Sequence, residues 1–375
     1  MEGKKLKFVA ALVLFAALAK TIGATAQAQG AAQEPIPSLF SGNENQALGN
    51  DNNGQTNSLH HDKRENGPLA VSAVQVIDEA YASNQIATLS EDGGPYNFLT
   101  NFPNGAFNPV FSRDGSKLIF WAILDHTPDG IFSVPVEGGV LTQIHTDCGN
   151  DPSCFGDDEP AISPDNREFL AVRFVGPFDD NGCLAFAGIF KFHADGSHPQ
   201  QLSPSGAQPC TGDDEPHWSP DARKIVFRHA DVSGLFSLWV MRRDGSCRHQ
   251  ITPAGMDVGD PDWSPDGALI VFQSPAEPAD DQTPQQIFTI HPDGTQTLQI
   301  THYEPTSGVT IKTNGARWSP DGQKLVFAHS DISTTIGPDG QPHADLFVMN
   351  ADGSNVIQVN FTPEKDNSPA WGPAH

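Results

Sequence analysis

One short element, repeated along the chain, restricts what this sequence can fold into. It reads Phe111-Ser-Arg-Asp-Gly115, Ile162-Ser-Pro-Asp-Asn166, Trp218-Ser-Pro-Asp-Ala222, Trp263-Ser-Pro-Asp-Gly267 and Trp318-Ser-Pro-Asp-Gly322, with a truncated Trp371-Gly-Pro373. In each copy a large apolar residue ends an extended run and a turn follows. Proline presets φ at the first corner, aspartate bonds its own backbone, and glycine accepts positive φ. Apolar runs on both sides make each copy a β-hairpin. The turn accounts fully for the repeated aspartate, so it is not read as a catalytic base.

A second turn alternates with the first: Val136-Glu-Gly-Gly139, His193-Ala-Asp-Gly-Ser197, Arg243-Asp-Gly-Ser246, His291-Pro-Asp-Gly294 and Asn350-Ala-Asp-Gly-Ser354. One unit is therefore strand a, turn, strand b, loop, strand c, turn, strand d. Four strands at this period define a β-propeller with one unit per blade. Five units are complete. The last copy supplies only strand a (369–371), and unmatched strands at 69–77, 85–89 and 96–99 supply b, c and d. Joining both ends in one blade closes a ring without a free sheet edge. The expected fold is all-β, a six-bladed propeller over residues 69–375.

The residues before it differ in kind. Lys4, Lys5 and Lys7 precede the apolar run Phe8–Leu18, and small residues follow near 24–28, the layout of a secretory signal peptide over 1–26. The run is too short for a membrane span, so none is expected after cleavage. Residues 27–68 are rich in Asn, Gln, Gly and Ser and read as a disordered linker. The formal net charge is −25, and the signal segment carries four lysines against one glutamate, so the mature chain is more acidic still. Such a chain repels nucleic acid and anionic lipid and attracts cations or basic partners.

The blade meander places the turns on one face and the d–a connections and b–c loops on the other. Acids outside the turns fall on that second face: Asp157, Asp158 and Glu159; Asp213, Asp214 and Glu215; and Asp260. They are expected to line a binding site at the tunnel mouth, joined by His217 inside strand a. Glu159 and Glu215, each before a proline, also read as structural residues at the start of strand a. Repulsion among converging carboxylates favours a bound cation or basic group. Hard oxygen donors at Asp157, Asp158, Asp213 and Asp214 would suit Ca²⁺, the one cofactor the sequence points to.

His229-Ala-Asp231 and His329-Ser-Asp331 end strand b in their blades, with Asp125-His126 in the equivalent loop. They could hold a transition metal or act as acid and base, yet lie in separate blades without a third partner. No Gly-x-Ser-x-Gly elbow, His-Glu-x-x-His or phosphate loop occurs. Of the five cysteines, Cys148, Cys154, Cys183 and Cys210 fall on the acidic face and Cys247 in a turn opposite. Four cysteines allow three pairings; Cys148–Cys154 and Cys183–Cys210 are expected, with Cys247 unpaired.

The alternating Trp-Ser-Pro-Asp-Gly and Ala-Asp-Gly-Ser hairpins resemble the propeller domain of the periplasmic TolB family, over residues 69–375 and without that family's N-terminal α/β domain. The resemblance implies a periplasmic or secreted location and a tunnel-mouth contact with an ion or an envelope protein. The repeat also occurs beside peptidase and lyase activities. The expected function is a monomeric, non-catalytic binding scaffold using its acidic face; the alternative is a hydrolase or lyase acting on a saccharide or peptide.

Overall fold

The computed structural model describes residues 65–78, 81–124, 130–145, 154–178, 184–203, 211–231, 235–253, 256–275, 283–304, 311–331, 344–360 and 366–374. The segments expected to be signal peptide and most of the linker lie outside these residues, as do Cys148, Cys183, Cys210, Asp125 and His126. Cys154 is described in its backbone alone.

Twenty-four strands form six four-stranded antiparallel blades. The chain begins with β1 (Asn66–Asp78), β2 (Tyr81–Leu89) and β3 (Asn97–Phe98). Blade 1 is β4 (Ala106–Phe111), β5 (Lys117–Ala122), β6 (Gly130–Pro135) and β7 (Thr142–His145). Blade 2 is β8 (Cys154–Ile162), β9 (Glu168–Phe178), β10 (Leu184–His193) and β11 (Gln200–Gln201). Blade 3 is β12 (Gly212–Trp218), β13 (Lys224–Ala230), β14 (Phe236–Arg242) and β15 (His249–Gln250). Blade 4 is β16 (Gly259–Trp263), β17 (Ile270–Pro275), β18 (Gln285–Ile290) and β19 (Leu298–Gln299). Blade 5 is β20 (Ile311–Trp318), β21 (Lys324–Asp331), β22 (Asp345–Asn350) and β23 (Ile357–Gln358). The final strand, β24 (Asp366–Pro373), pairs with β1, so blade 6 runs β24-β1-β2-β3 and the ring closes as the repeat count requires.

The closing seam has Leu69 opposite Trp371 and Ala70 opposite Ala370. It starts at Asn66, inside the segment expected to be linker. Backbone pairing holds these extra residues: Ala374 N–H donates to the Glu65 carbonyl, and the Trp371 indole N–H donates to the Gly67 carbonyl at 3.2 Å. Blades 2 and 3 are also joined by a single parallel bridge, Ala187 to Gly212.

The core lies between blades. Trp218 packs on Leu170 and Ile189 of blade 2, Trp263 on Leu238 and Val240 of blade 3, and Trp318 on Val271 and Ile287 of blade 4. The tryptophan that opens the hairpin motif in blades 3, 4 and 5 thus fills the seam to the preceding blade. The turn it precedes is built alike each time. Ser319 Oγ donates to Asp321 Oδ1 at 2.6 Å and accepts the Lys324 N–H at 2.9 Å, while the Gln323 N–H donates to the same carboxylate. The aspartates at this position in blades 1 to 4 make the matching serine bond. In blade 1 hydrogen bonds from Ser112 and Ser116 push the Asp114 carboxyl down to about 2. Among the described residues no helix is long and apolar enough to cross a membrane.

Candidate functional site

Every strand a carries the same irregularity. Its pairing with strand b shifts register in each blade, as in Asp158/Ala161, Asp214/His217 and Gly259/Asp262. At that step a residue adopts positive φ: Asn108 (51°), Glu159 (48°), Glu215 (49°), Asp260 (50°), Gly315 (63°) and Ser368 (49°). Five of the six are not glycine, a conformation that costs roughly 1–2 kcal/mol per residue. Five are followed by proline, which has no N–H to lose at a bulge. An extra residue re-aims the side chain there, and here it turns into the central tunnel.

The acids expected at the tunnel mouth are therefore not loop residues. Asp157–Glu159, Asp213–Glu215 and Asp260 all sit within strand a, because β8, β12 and β16 begin earlier than the apolar pattern indicates. Glu159, Glu215, His217 and Asp260 line the tunnel cavity together with Asn108, Arg317 and Ser368.

The bulge side chains are linked blade to blade. Glu159 Oε2 accepts the Glu215 N–H at 2.8 Å, and Glu215 Oε2 accepts the Asp260 N–H at 2.6 Å. Asp260 Oδ2 accepts the Gly315 N–H at 3.2 Å and the Gln273 amide at 2.7 Å. Two guanidinium groups face these carboxylates. Arg228 bonds both Asp214 oxygens, at 2.8 and 2.7 Å, and lies 3.1 Å from Glu215. Arg317 lies 3.6 Å from Asp260. His217 Nδ1 is 3.6 Å from Asp262, whose other oxygen accepts the Trp318 N–H.

Carboxylates outnumber cations here, and burial shows the consequence. Burial, aided by the charge of Asp214, pushes the Glu159 carboxyl up to about 8. Burial raises Glu215 well above its ordinary value despite Arg228, with Asp260 adding to the rise. Burial raises Asp262 to about 6 against the pull of Arg317. Burial, with Arg317 nearby, holds His217 well below its usual range, so it is neutral at pH 7.

Asp157, Asp158, Asp213 and Asp214 lie beside this ring and are not gathered into one cluster. Asp157 is 2% exposed and takes a two-pronged bond from Arg173, at 2.8 and 2.7 Å, with His145 at 3.0 Å. Asp213, equally buried, accepts from His229 Nδ1 at 2.7 Å and from Arg248 Nη2 at 3.0 Å. Burial would raise Asp213, but the His229 and Arg248 hydrogen bonds outweigh it and hold the carboxyl below its ordinary range. Asp158 is buried. Among the described residues no three His, Cys, Asp or Glu are grouped to hold a metal ion. Cys247 is exposed and unpaired in its turn.

Sequence reasoning missed Arg173, Arg228, Arg248 and Arg317. Arg173 is directly opposite Asp157 and Arg228 opposite Asp214, pairings that the register shift in strand a conceals from the sequence.

Fold and ring together define a six-bladed propeller whose tunnel is lined by bulge carboxylates. Comparison with solved structures places it beside TolB. TolB from Acinetobacter baumannii superposes with a TM-score of 0.60 at 16% identity, covering 82% of this chain and 66% of that one. A TolB-type protein from Agrobacterium tumefaciens gives 0.53 at 17%, covering 82% and 99%. Hydrazine synthase from Kuenenia stuttgartiensis gives 0.58 at 13%, covering 82% and 47%. At these identities the likeness is one of fold, and the fold is TolB-like. Among curated proteins, an uncharacterized peptidase, YuxL of Bacillus subtilis, is 26% identical over 216 residues, which is 51% of this chain and 32% of that protein. The chain thus matches about a third of that relative's length. No family model matches the chain.

Proposed function

We propose that this chain is a non-catalytic binding scaffold of the periplasm or extracellular space, taking a basic segment of a protein partner at the acidic mouth of its tunnel. The observation that carries this is the imbalance in the ring. Glu159, Glu215 and Asp260 come from three successive blades, Asp214 and Asp262 stand beside them, and among the described residues only Arg228 and Arg317 answer. Burial raises the pKa of Glu159 and Glu215, with Asp214 and Asp260 adding to the rise, and a further positive charge would offset it. A lysine or arginine side chain entering the tunnel supplies that charge and lets both carboxyls ionise.

A Ca²⁺ ion at Asp157, Asp158, Asp213 and Asp214 is the less favoured form of the same reading. It would have to displace Arg173, His229 and Arg228 from carboxylates they already occupy. The likeness to TolB supports an envelope partner and a location outside the cytoplasm.

The test is titration of the intact chain with a labelled tetra-lysine peptide at pH 7, in buffers of different ionisation enthalpy. Saturable binding with proton release is expected, and both should vanish in the Glu159→Gln/Glu215→Gln double variant. Absence of binding, or binding unchanged in that variant, rules the reading out.

One observation favours a second reading, an enzyme acting on a peptide or saccharide. His229 is held through Nδ1 by buried Asp213, leaving Nε2 free to act as a base, and the YuxL relative is described as a peptidase. Peptide or oligosaccharide turnover that disappears in His229→Asn would favour it.

A further inference from the structure

The turn face, opposite the acidic connections, carries a groove of reversed charge. It runs between blades 2 and 3, with a volume of about 550 Å³, and is lined by the cations Lys191, Arg223, Arg242 and Arg243 and by the acids Asp221 and Asp244. Lys224 adjoins Arg223 in sequence and is exposed, as is Arg167 in the turn between β8 and β9 of blade 2. On a chain of net charge −25, six basic side chains on the turns of two adjacent blades form an island.

The acids nearby are occupied. Asp221 and Asp244 each bond the serine and backbone of their own turn. Glu168 bonds Arg243 at 2.7 Å, with Lys191 at 3.6 Å. Arg223, whose side chain is 85% exposed, reaches only Asp221 at 3.9 Å. Arg242 is exposed and stands directly opposite Lys224 across the β13–β14 ladder. Like charges facing each other across strands destabilise a sheet. The equivalent pair is Lys117–Pro135 in blade 1, Glu168–His193 in blade 2 and Lys324–Asn350 in blade 5. Blade 3 alone among these tolerates the repulsion, and a bound anion would relieve it.

We infer that this groove is a second docking site, for a short acidic peptide segment of a protein partner, held by the forks of Arg223 and Arg242. Guanidinium groups bind carboxylates in this two-pronged way. Charge complementarity selects the occupant's size. Exposed aspartates stand on the same kind of turn in blade 2 itself (Asp195) and in blades 4 and 5 (Asp293 and Asp352). A flat anionic membrane or a long polyanion laid across the turn face would meet their negative charge as well. Two or three consecutive Asp or Glu residues touch the groove alone.

The experiment is fluorescence anisotropy with a labelled tetra-aspartate peptide on the intact chain at low salt, beside vesicles containing phosphatidylglycerol. Binding is expected to the peptide and not to vesicles. It should weaken at least about tenfold in Arg223→Glu/Arg242→Glu, equivalent to about 1.4 kcal/mol, and to a smaller degree in Arg223→Gln/Arg242→Gln. Both positions are exposed, so circular dichroism should be unchanged. No peptide binding, equal binding by the reversed variant, or vesicle binding that depends on the same two arginines overturns the inference. Tunnel variants should leave peptide binding intact, which keeps this result separate from that of the acidic mouth.

Discussion

Glu215 accepts the backbone N–H of Asp260 through Oε2 at 2.6 Å, so the bulge of blade 3 clamps the bulge of blade 4. Glu159 does the same to Glu215 from blade 2. The side chains that give the tunnel its charge therefore also fasten its inner strands. In Glu215 the second oxygen, Oε1, faces Arg228 at 3.1 Å, so that carboxyl is engaged on both sides.

Replacement should separate the two tasks. In Glu159→Gln the amide oxygen can still accept the Glu215 N–H while the charge is gone, so stability should change by less than about 1 kcal/mol. Glu159→Ala leaves that N–H buried without a partner, a loss of about 1–3 kcal/mol. Urea denaturation of both variants checks this; equal losses would show that the clamp does not contribute.

Acid titration has a defined sign. Glu159 is raised from 4.5 to about 8 and Asp262 from 3.8 to about 6, each mainly by burial. A raised carboxyl binds its proton more tightly when folded. Its contribution is complete below the unfolded pKa and is lost as pH rises through the folded value. The melting temperature should therefore fall between about pH 5 and 8. Glu159→Gln should flatten the fall; an identical slope in that variant would falsify the assignment.

Gly315 is the one bulge residue without a side chain. Its φ is 63°, and a Cβ there would come 3.0 Å from Pro369 Cδ of blade 6. Gly315→Ala combines left-handed strain with a contact the proline ring must yield to, and should cost about 1–3 kcal/mol. Calorimetry decides it. At Gly94, φ 126°, a Cβ would meet nothing within 4 Å, so the same substitution there should register backbone strain alone.

The fold was legible because each blade repeats turn chemistry that acts locally: the Ser319–Asp321 bond needs only residues 319–324 to form. The ring closure was legible by counting. The ion pairs were not, for a physical reason. Counting outward from the turn, where Trp218 faces Ile225, an unbroken ladder would place Asp214 opposite His229. The bulge adds one residue, so Asp214 faces Arg228 and Asp213 faces His229. Pro216 was the visible sign of the slip, since proline inside an inner strand marks a bulge. Acid positions were thus readable and their partners were one residue out of reach.

Asp213 gives the sharpest test of that hidden pairing. It is 2% exposed and holds His229 at 2.7 Å and Arg248 at 2.8 Å, with Arg248 also over the Phe227 ring at 4.9 Å. Asp213→Ala strands a buried guanidinium and should cost about 3–5 kcal/mol. Removing the whole group, as Asp213→Leu/His229→Leu/Arg248→Met, should recover most of that loss, since the desolvation of three polar groups disappears with their attraction. Chemical denaturation of the single and triple variants supplies the comparison. A single variant that loses under 1 kcal/mol would mean that solvent reaches Arg248 and that the cluster is not the buried clasp its geometry describes.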